Sequence, residues 1–377
     1  MPKSTRKKVT ILFHRIVGDF GSGIFVNPQV HNYYVALRDY YDVEIIAAGD
    51  GKKTFQIPSG LVRIFRRMRG LRDGFSLQMI IRMVQDDPDL VIIHGYRHLI
   101  TLFALTIYGV KKTPLLVVNT GLYDLKSQRT LILLLRNLLI DKLLIRSGAT
   151  LANLSVTDQL TLSNFLGLPN KRNLILNIWN TDDKAPFRAD LPCLNKLPRR
   201  GILALYVGRL DEGKKLETLL YAVKRINESG GNCYLIIVGD GPHKDKLKLV
   251  AETLGLKDTT CFAGWIPHDS LWQYYEVCNF VVLPTMTEGR SRVIIEALAN
   301  GRPVLASDLP QIREIIQDGY NGLLFRTEKD LVRLIIKLIQ NKPLLTVLTN
   351  NAKQCSKTFD PLENRRLFLK IVQSLIQ

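Results

Sequence analysis

Acidic side chains are scarce in the first half of this 377-residue chain. Residues 1–185 hold 25 Lys and Arg against 14 Asp and Glu, and Glu44 is the only glutamate among them. Such a half attracts polyanions, whether nucleic acid, anionic lipid head groups or phosphorylated substrates. Cysteine is sparse as well. Cys193, Cys233, Cys261, Cys278 and Cys355 form no CxxC pair and no Cys/His ligand spacing, which argues against a zinc site. Their odd number and wide separation fit a reducing compartment. Long apolar runs are missing too. Leu99–Val110 and Leu131–Leu135 fall short of a membrane span, and Val9–Phe13 is too short for a secretory core and reads as a first strand. The expected location is cytoplasmic, at most peripheral on the cytoplasmic face of a membrane.

What is present is the composition of a globular protein, 46% hydrophobic, with a net charge of +18 and a length that suggests two domains. Short apolar runs alternate with helical stretches throughout, the pattern of α/β doubly wound sheets. In the first half, Val9–Phe13, Val43–Ala47, Leu90–Ile93 and Leu115–Val118 read as strands. The loop after the first carries Gly18, Gly21 and Gly23, where glycine lets backbone approach a phosphate. Arg63, Arg66, Arg67, Arg69 and Arg72 alternate with apolar residues. If helical, they form a basic amphipathic surface suited to anionic lipid. Asp86-Asp87-Pro88-Asp89 reads as a turn before a strand rather than a metal site. Thr130–Arg146 is apolar with spaced cations and reads as a core helix, a membrane-facing one being the alternative.

The second half carries the sharper signals. Gly208-Arg209 and Lys214 stand in a loop between the strand Ile202–Val207 and a helix starting near Leu216. Both cations can reach a diphosphate, Arg with a fork and Lys as a point charge. Phe280–Leu283 reads as a buried strand ended by Pro284. Glu288, Gly289 and Arg290 follow in a turn, and Ser291 and Arg292 open a helix that contains Glu296. A helix start offers free N–H groups to a phosphate, and a carboxylate on either side can hold sugar hydroxyls. Arg290 and Arg292 oppose the helix macrodipole; they are candidates to meet an anion on substrate or acceptor, exposed side chains being the alternative. Gly239, after the strand Tyr234–Val238, is a candidate to border a base, a structural turn being the alternative, and Trp265 and Ile266 stand in the loop after the strand Thr260–Ala263.

The Glu288 and Glu296 pair, followed by Ala297-Leu-Ala-Asn-Gly-Arg-Pro-Val-Leu-Ala-Ser-Asp308, resembles the signature of retaining glycosyltransferases of family four. The resemblance extends to Arg313-Glu314 and Asp318–Phe325. It covers residues 200–330 closely and is weaker before 185. It implies the GT-B fold: an acceptor-binding domain over 1–182, a nucleotide-sugar domain over 200–358, and a last helix over 361–377 that returns to the first domain. It also implies transfer of a hexose with retention from a UDP- or GDP-sugar to a hydroxyl of a lipid-linked or polysaccharide acceptor, without metal. Arg209, Lys214 and the helix N–H groups near Ser291 then meet the diphosphate, Glu288 orients the sugar and Glu296 the ribose. Gly21 and Gly23 then lie near donor and acceptor, and the base packs near the loop of Trp265 and Ile266. Two departures stand out: Thr120 where many members have histidine, and Lys215 where they have glycine. The alternatives are a nucleotide-sugar epimerase of the same fold and a non-catalytic basic scaffold for membrane or nucleic acid. Nucleic acid is not the expected partner.

Overall fold

The computed structural model describes residues 6–13, 28–49, 52–57, 60–66, 68, 76–120, 131–176, 186, 191–194 and 201–377. The chain divides into two units, Met1–Thr181 with Pro361–Gln377, and Asp182–Asp360.

In the first unit, β1 (Lys8–Phe13) leads to α1 (Pro28–Leu37), β2 (Asp42–Gly49) and the hairpin β3 (Lys53–Ile57) and β4 (Gly60–Arg66). Then α2 (Leu77–Gln85), β5 (Leu90–His94), α3 (Leu99–Lys111), β6 (Leu115–Asn119), α4 (Leu131–Arg146), β7 (Thr150–Asn153), α5 (Val156–Leu166) and β8 (Asn173–Ile175) follow. The sheet order is β3-β4-β2-β1-β5-β6-β7-β8, and β3 alone runs antiparallel, against β4. β5 and β6 are buried along their whole length, as strands covered on both faces must be. Ser155 caps α5 by accepting from the Asp158 amide, and Gly167 ends that helix at φ +62, where a side chain would be strained.

One helical layer of this unit shares a single core, with Met79 and Met83 from α2, Ala104 and Tyr108 from α3, Ile140 and Leu144 from α4, and Leu162 from α5. Right-handed crossovers in one direction along a parallel sheet leave their helices on one face. The last helix of the chain, α13 (Pro361–Ile376), belongs to this unit, where Phe368 stacks on Tyr33 of α1 at 5.0 Å.

Three expectations need correction. In its described part the arginine-rich stretch is not a helix but β4, an inner strand paired to β2 and β3. There Arg63 turns to Glu44 at 2.7 Å, because Glu44 is a buried carboxylate that needs cations. Arg66 is exposed, while Arg67, Arg69 and Arg72 lie outside the described residues. α4 is not wholly core. Ile140 and Leu144 are buried, but Leu134, Leu135, Leu138, Leu139 and Ile145 are exposed. Finally, Cys193 and Cys261 form a disulfide across 68 residues. No local spacing announces it, because folding alone brings residues 191–194 against the edge strand that holds Cys261.

The second unit runs β9 (Ile202–Val207), α6 (Leu216–Glu228), β10 (Cys233–Val238), α7 (Lys244–Thr253), β11 (Thr260–Gly264), α8 (Trp272–Val277), β12 (Phe280–Leu283) and α9 (Arg292–Ala299). It continues through β13 (Val304–Ser307), α10 (Pro310–Arg313), β14 (Gly322–Phe325), α11 (Glu328–Gln340) and α12 (Lys342–Cys355). All six strands are parallel, in the order β11-β10-β9-β12-β13-β14. The order reverses between β9 and β12. In an open α/β sheet that is where a crevice opens at the strands' carboxyl ends.

Candidate functional site

The two loops at that switch point are the ones the sequence singles out. The loop after β9 carries Gly208, Arg209 and Lys214; the loop after β12 carries Glu288, Gly289, Arg290 and Ser291. They are tied by backbone, the Met286 amide donating to the Gly213 carbonyl at 2.8 Å. They are also tied by charge: Lys214 Nζ lies 2.9 Å from Glu288 Oε2 and 3.4 Å from Thr285 Oγ1. Thr285 in turn donates to the Thr287 carbonyl at 2.7 Å, which fixes the turn that presents Glu288. Lys215 sits at φ +48, in the left-handed region that favours glycine, so the glycine of the family pattern has a backbone reason and this chain holds the same shape with lysine.

Ser291 is the cap of α9, its hydroxyl accepting from the Ile294 amide at 3.4 Å. The helix thus begins at the same loop as Glu288. Glu296, one turn in, is buried and has partners on both oxygens: His268 Nε2 at 3.0 Å from Oε1, and the Tyr275 hydroxyl donating to Oε2 at 2.8 Å. Arg292 lies 3.7 Å from the same carboxylate and 3.2 Å from His268. Burial opposes ionisation of Glu296, but the His268 hydrogen bond and the Arg292 charge outweigh it and hold the carboxyl below its ordinary range. Each carboxylate oxygen can accept more than one hydrogen bond, so a charged acceptor pair remains for two further hydroxyl donors.

Sequence reasoning missed His268 and Tyr275. They stand 28 and 21 residues before Glu296 in the chain, and no local spacing marks them. Of the two arginines offered as anion contacts, Arg292 turns to its own helix's Glu296. Arg290 is half-buried, and burial pushes its guanidinium down, with Glu314 acting the other way.

The remaining candidates are placed less closely. Arg209 is 71% exposed, 3.7 Å from Asp211. Gly208 and Gly239 are where the loops after β9 and β10 touch: a Cβ on Gly239 would meet the Gly208 carbonyl oxygen at 1.9 Å, which is reason enough for glycine there. After β11, Trp265 is exposed and Ile266 buried. In the first unit, His94 packs on Phe13 and Tyr33 at the end of β5, and Thr120 follows β6. Gly21 and Gly23 lie outside the described residues. Asp86 bonds Lys8 and Thr10, and Asp89 accepts from the Lys8 amide at 2.6 Å, as turn residues do. Among the described residues no three His, Cys, Asp or Glu are grouped to hold a metal.

Residues 195–355 match the family model described as Glycosyl transferases group 1. That stretch lies within the second unit and is less than half of the chain. The relatives align over part of their length. The alpha-D-kanosaminyltransferase of Streptomyces kanamyceticus is 29% identical over 153 residues, 40% of this chain and 39% of that protein. The alpha-monoglucosyldiacylglycerol synthase of Streptococcus pneumoniae is 28% identical over 139 residues, 37% of this chain and 32% of that protein. The chain thus matches less than half the length of these curated relatives. The Anabaena protein Alr3699/HepE, solved in complex with UDP, superposes with a TM-score of 0.74 at 19% identity, covering 98% of this chain and 100% of its own. At that identity the likeness is one of fold, the GT-B fold: two α/β units, each built on a mainly parallel sheet.

Proposed function

We propose that the protein is a retaining glycosyltransferase that moves a hexose from a UDP- or GDP-sugar to a hydroxyl of a lipid-linked or polysaccharide acceptor. The observation that carries this reading is the Lys214–Glu288 pair at 2.9 Å, set at the sheet's switch point beside the capped start of α9. In this reading the negative charge that develops on the leaving diphosphate meets Lys214, Arg209 and the N–H groups of the first turn of α9, by preorganised electrostatics. Those cations take the role a metal has in other transferases, so the reaction runs without one. Glu288 orients the sugar, Glu296 accepts from the ribose hydroxyls, and the departing phosphate oxygen takes the acceptor's proton. The match of residues 195–355 to the group 1 model and the names of the relatives, a kanosaminyltransferase and a monoglucosyldiacylglycerol synthase, support the reaction class.

The test is a thermal-shift screen across UDP-, GDP- and ADP-sugars, since a ligand bound only by the folded state raises its apparent stability. One base is expected to give a shift that Lys214→Ala removes, with the unliganded melting temperature unchanged. Transfer by the wild type in the presence of EDTA checks metal independence. No shift with any nucleotide sugar, or a shift undiminished in Lys214→Ala, overturns the reading.

A further inference from the structure

Glu296 is held from two directions, and both lead back to one short turn of the chain. His268, which meets Oε1, stands four residues beyond Gly264, the end of β11. Tyr275, which meets Oε2, is on α8. The turn 191–194 is fastened to each of these elements. Cys193 is bonded to Cys261 of β11. The Pro192 carbonyl accepts from the hydroxyl of Tyr274, the neighbour of Tyr275 on α8, at 2.9 Å. Leu191 and Cys193 are buried against this unit, and Tyr274 is fully buried.

The cross-link is not what the second unit needs in order to have a core. Its sheet has six strands with β11 at the edge, and Leu205, Tyr206, Ile237, Val281 and Leu305 are fully buried on the other strands. One pair among five cysteines is also far from the dense frameworks that replace a core in small secreted domains. Cys193 is buried but Cys261 is only partly so, so a thiolate attacks from the Cys261 side. Cys193 sits at φ +70, a left-handed conformation that a side-chain-bearing residue keeps only while its surroundings hold it. The remaining thiols do not compete for the bond. Burial pushes those of Cys233 and Cys278 up to about 12, where almost no thiolate exists at neutral pH, and Cys355 lies on α12 against Asn321.

We propose that the Cys193–Cys261 bond is a thiol-sensitive support of the donor site. Intact, it holds β11 and α8 so that His268 and Tyr275 present Glu296. Opened by a dithiol, it releases the turn 191–194 and weakens nucleotide-sugar binding. The inference rests on the reading of Glu296 as the acceptor of the ribose hydroxyls. The step is thiol–disulfide exchange. A thiolate of the dithiol attacks Cys261 Sγ, and Cys193 leaves. The second thiol then attacks the mixed disulfide and releases Cys261. The dithiol gives up two electrons and becomes its own disulfide, and its two protons end on the sulfurs of Cys193 and Cys261.

Alkylation of the denatured chain, read by intact mass, reports the bond. Three cysteines are expected to react without reductant and all five after dithiothreitol. Five reactive cysteines even after incubation with oxidised glutathione would overturn the proposal. Donor KM is then measured in both states well below the melting temperature, because closing a 68-residue loop also stabilises the fold. Reduction is expected to raise KM about three- to tenfold with a smaller change in kcat, and oxidised glutathione to reverse it. Cys193→Ser should show the raised KM from the start and no response to dithiothreitol. Tyr274→Phe keeps the bond but removes the second fastening, and should raise KM in the same direction. A lower melting temperature with unchanged KM would mean that the bond serves stability alone, and overturns the proposal. Hydrogen exchange reads the coupling without any donor: reduction should speed exchange in residues 268–277 and leave β9 and β12 protected. If that holds while no nucleotide sugar binds in either state, the donor reading fails and the support stands. Unchanged exchange in residues 268–277 overturns the support itself.

Discussion

Glu44 is a buried carboxylate ringed by Lys8, Arg63 and Arg82, each at 2.7 Å. Burial opposes its charge, but hydrogen bonds from Arg82, Lys8 and Arg63 outweigh that and lower it from 4.5 to about 2. A depressed folded pKa means stability that is complete above about 4.5 and lost as pH falls toward 2. Glu44→Gln should therefore cost about 2 kcal/mol at neutral pH, less than a fully buried pair because the three cations are 24–34% exposed. Urea unfolding at pH 7 and at pH 3 checks both parts, since the difference between wild type and variant should shrink in acid. At the candidate site, Tyr275 and His268 hold Glu296. Tyr275→Phe and His268→Ala should raise KM for the nucleotide sugar about three- to tenfold with a smaller change in kcat. Steady-state kinetics over donor concentration decide this; an unchanged KM would mean that Glu296 needs no such support.

Elements in this chain owe their ends to a few residues. Thr327 and Asp330 cap α11 reciprocally, and Ser291 starts α9 where the switch-point loop ends. Lys215 is the exception, a lysine at φ +48 that opens α6. A left-handed lysine costs about 1 kcal/mol relative to glycine, although glycine gives back part of that through the freer unfolded chain. Lys215→Gly should thus be neutral to stabilising, by up to about 1 kcal/mol, and should leave the Lys214–Glu288 pair in place. Chemical denaturation alongside the donor thermal shift tests it; destabilisation would show that the Lys215 side chain has a role the backbone does not reveal.

At the scale of the whole molecule, the chain's last helix completes its first unit. Phe368 and Val372 are fully buried, and Phe368 stacks on Tyr33. Loss of one buried Phe costs about 3–5 kcal/mol, so removing residues 361–377 should unfold or strongly destabilise the first unit. The second unit, which ends at Asp360, should keep its own melting transition. Hydrogen exchange on the truncated chain would read this, with protection expected in β9, β10 and β12 and lost in β1 and β5. Equal protection in both sheets would make α13 dispensable.

The strands and most helices were legible in the sequence because a parallel sheet buried on both faces writes itself as apolar runs. Leu90–Ile93, Ile202–Val207 and Phe280–Leu283 are such runs, and the helix Leu216–Glu228 starts where the pattern puts it. The loops bearing Lys214 and Glu288 were legible too, as strand-to-helix connections with charges in them. The hairpin of β4 was not, because arginines alternating with apolar residues suit a strand and a helix alike, and the pairing to β2 and Glu44 decides between them. By itself, then, the sequence determined the alternation of elements, the resemblance of the second unit to the group 1 transferases and which loops carry charge, since these rest on residues near one another in the chain. Tertiary structure alone decided which order of strands brings Lys214 to Glu288 and which distant side chains hold Glu296. It also decided that Cys193 meets Cys261 and which side of α4 faces out, because each of these is a contact or an exposure that exists only once the layers have packed.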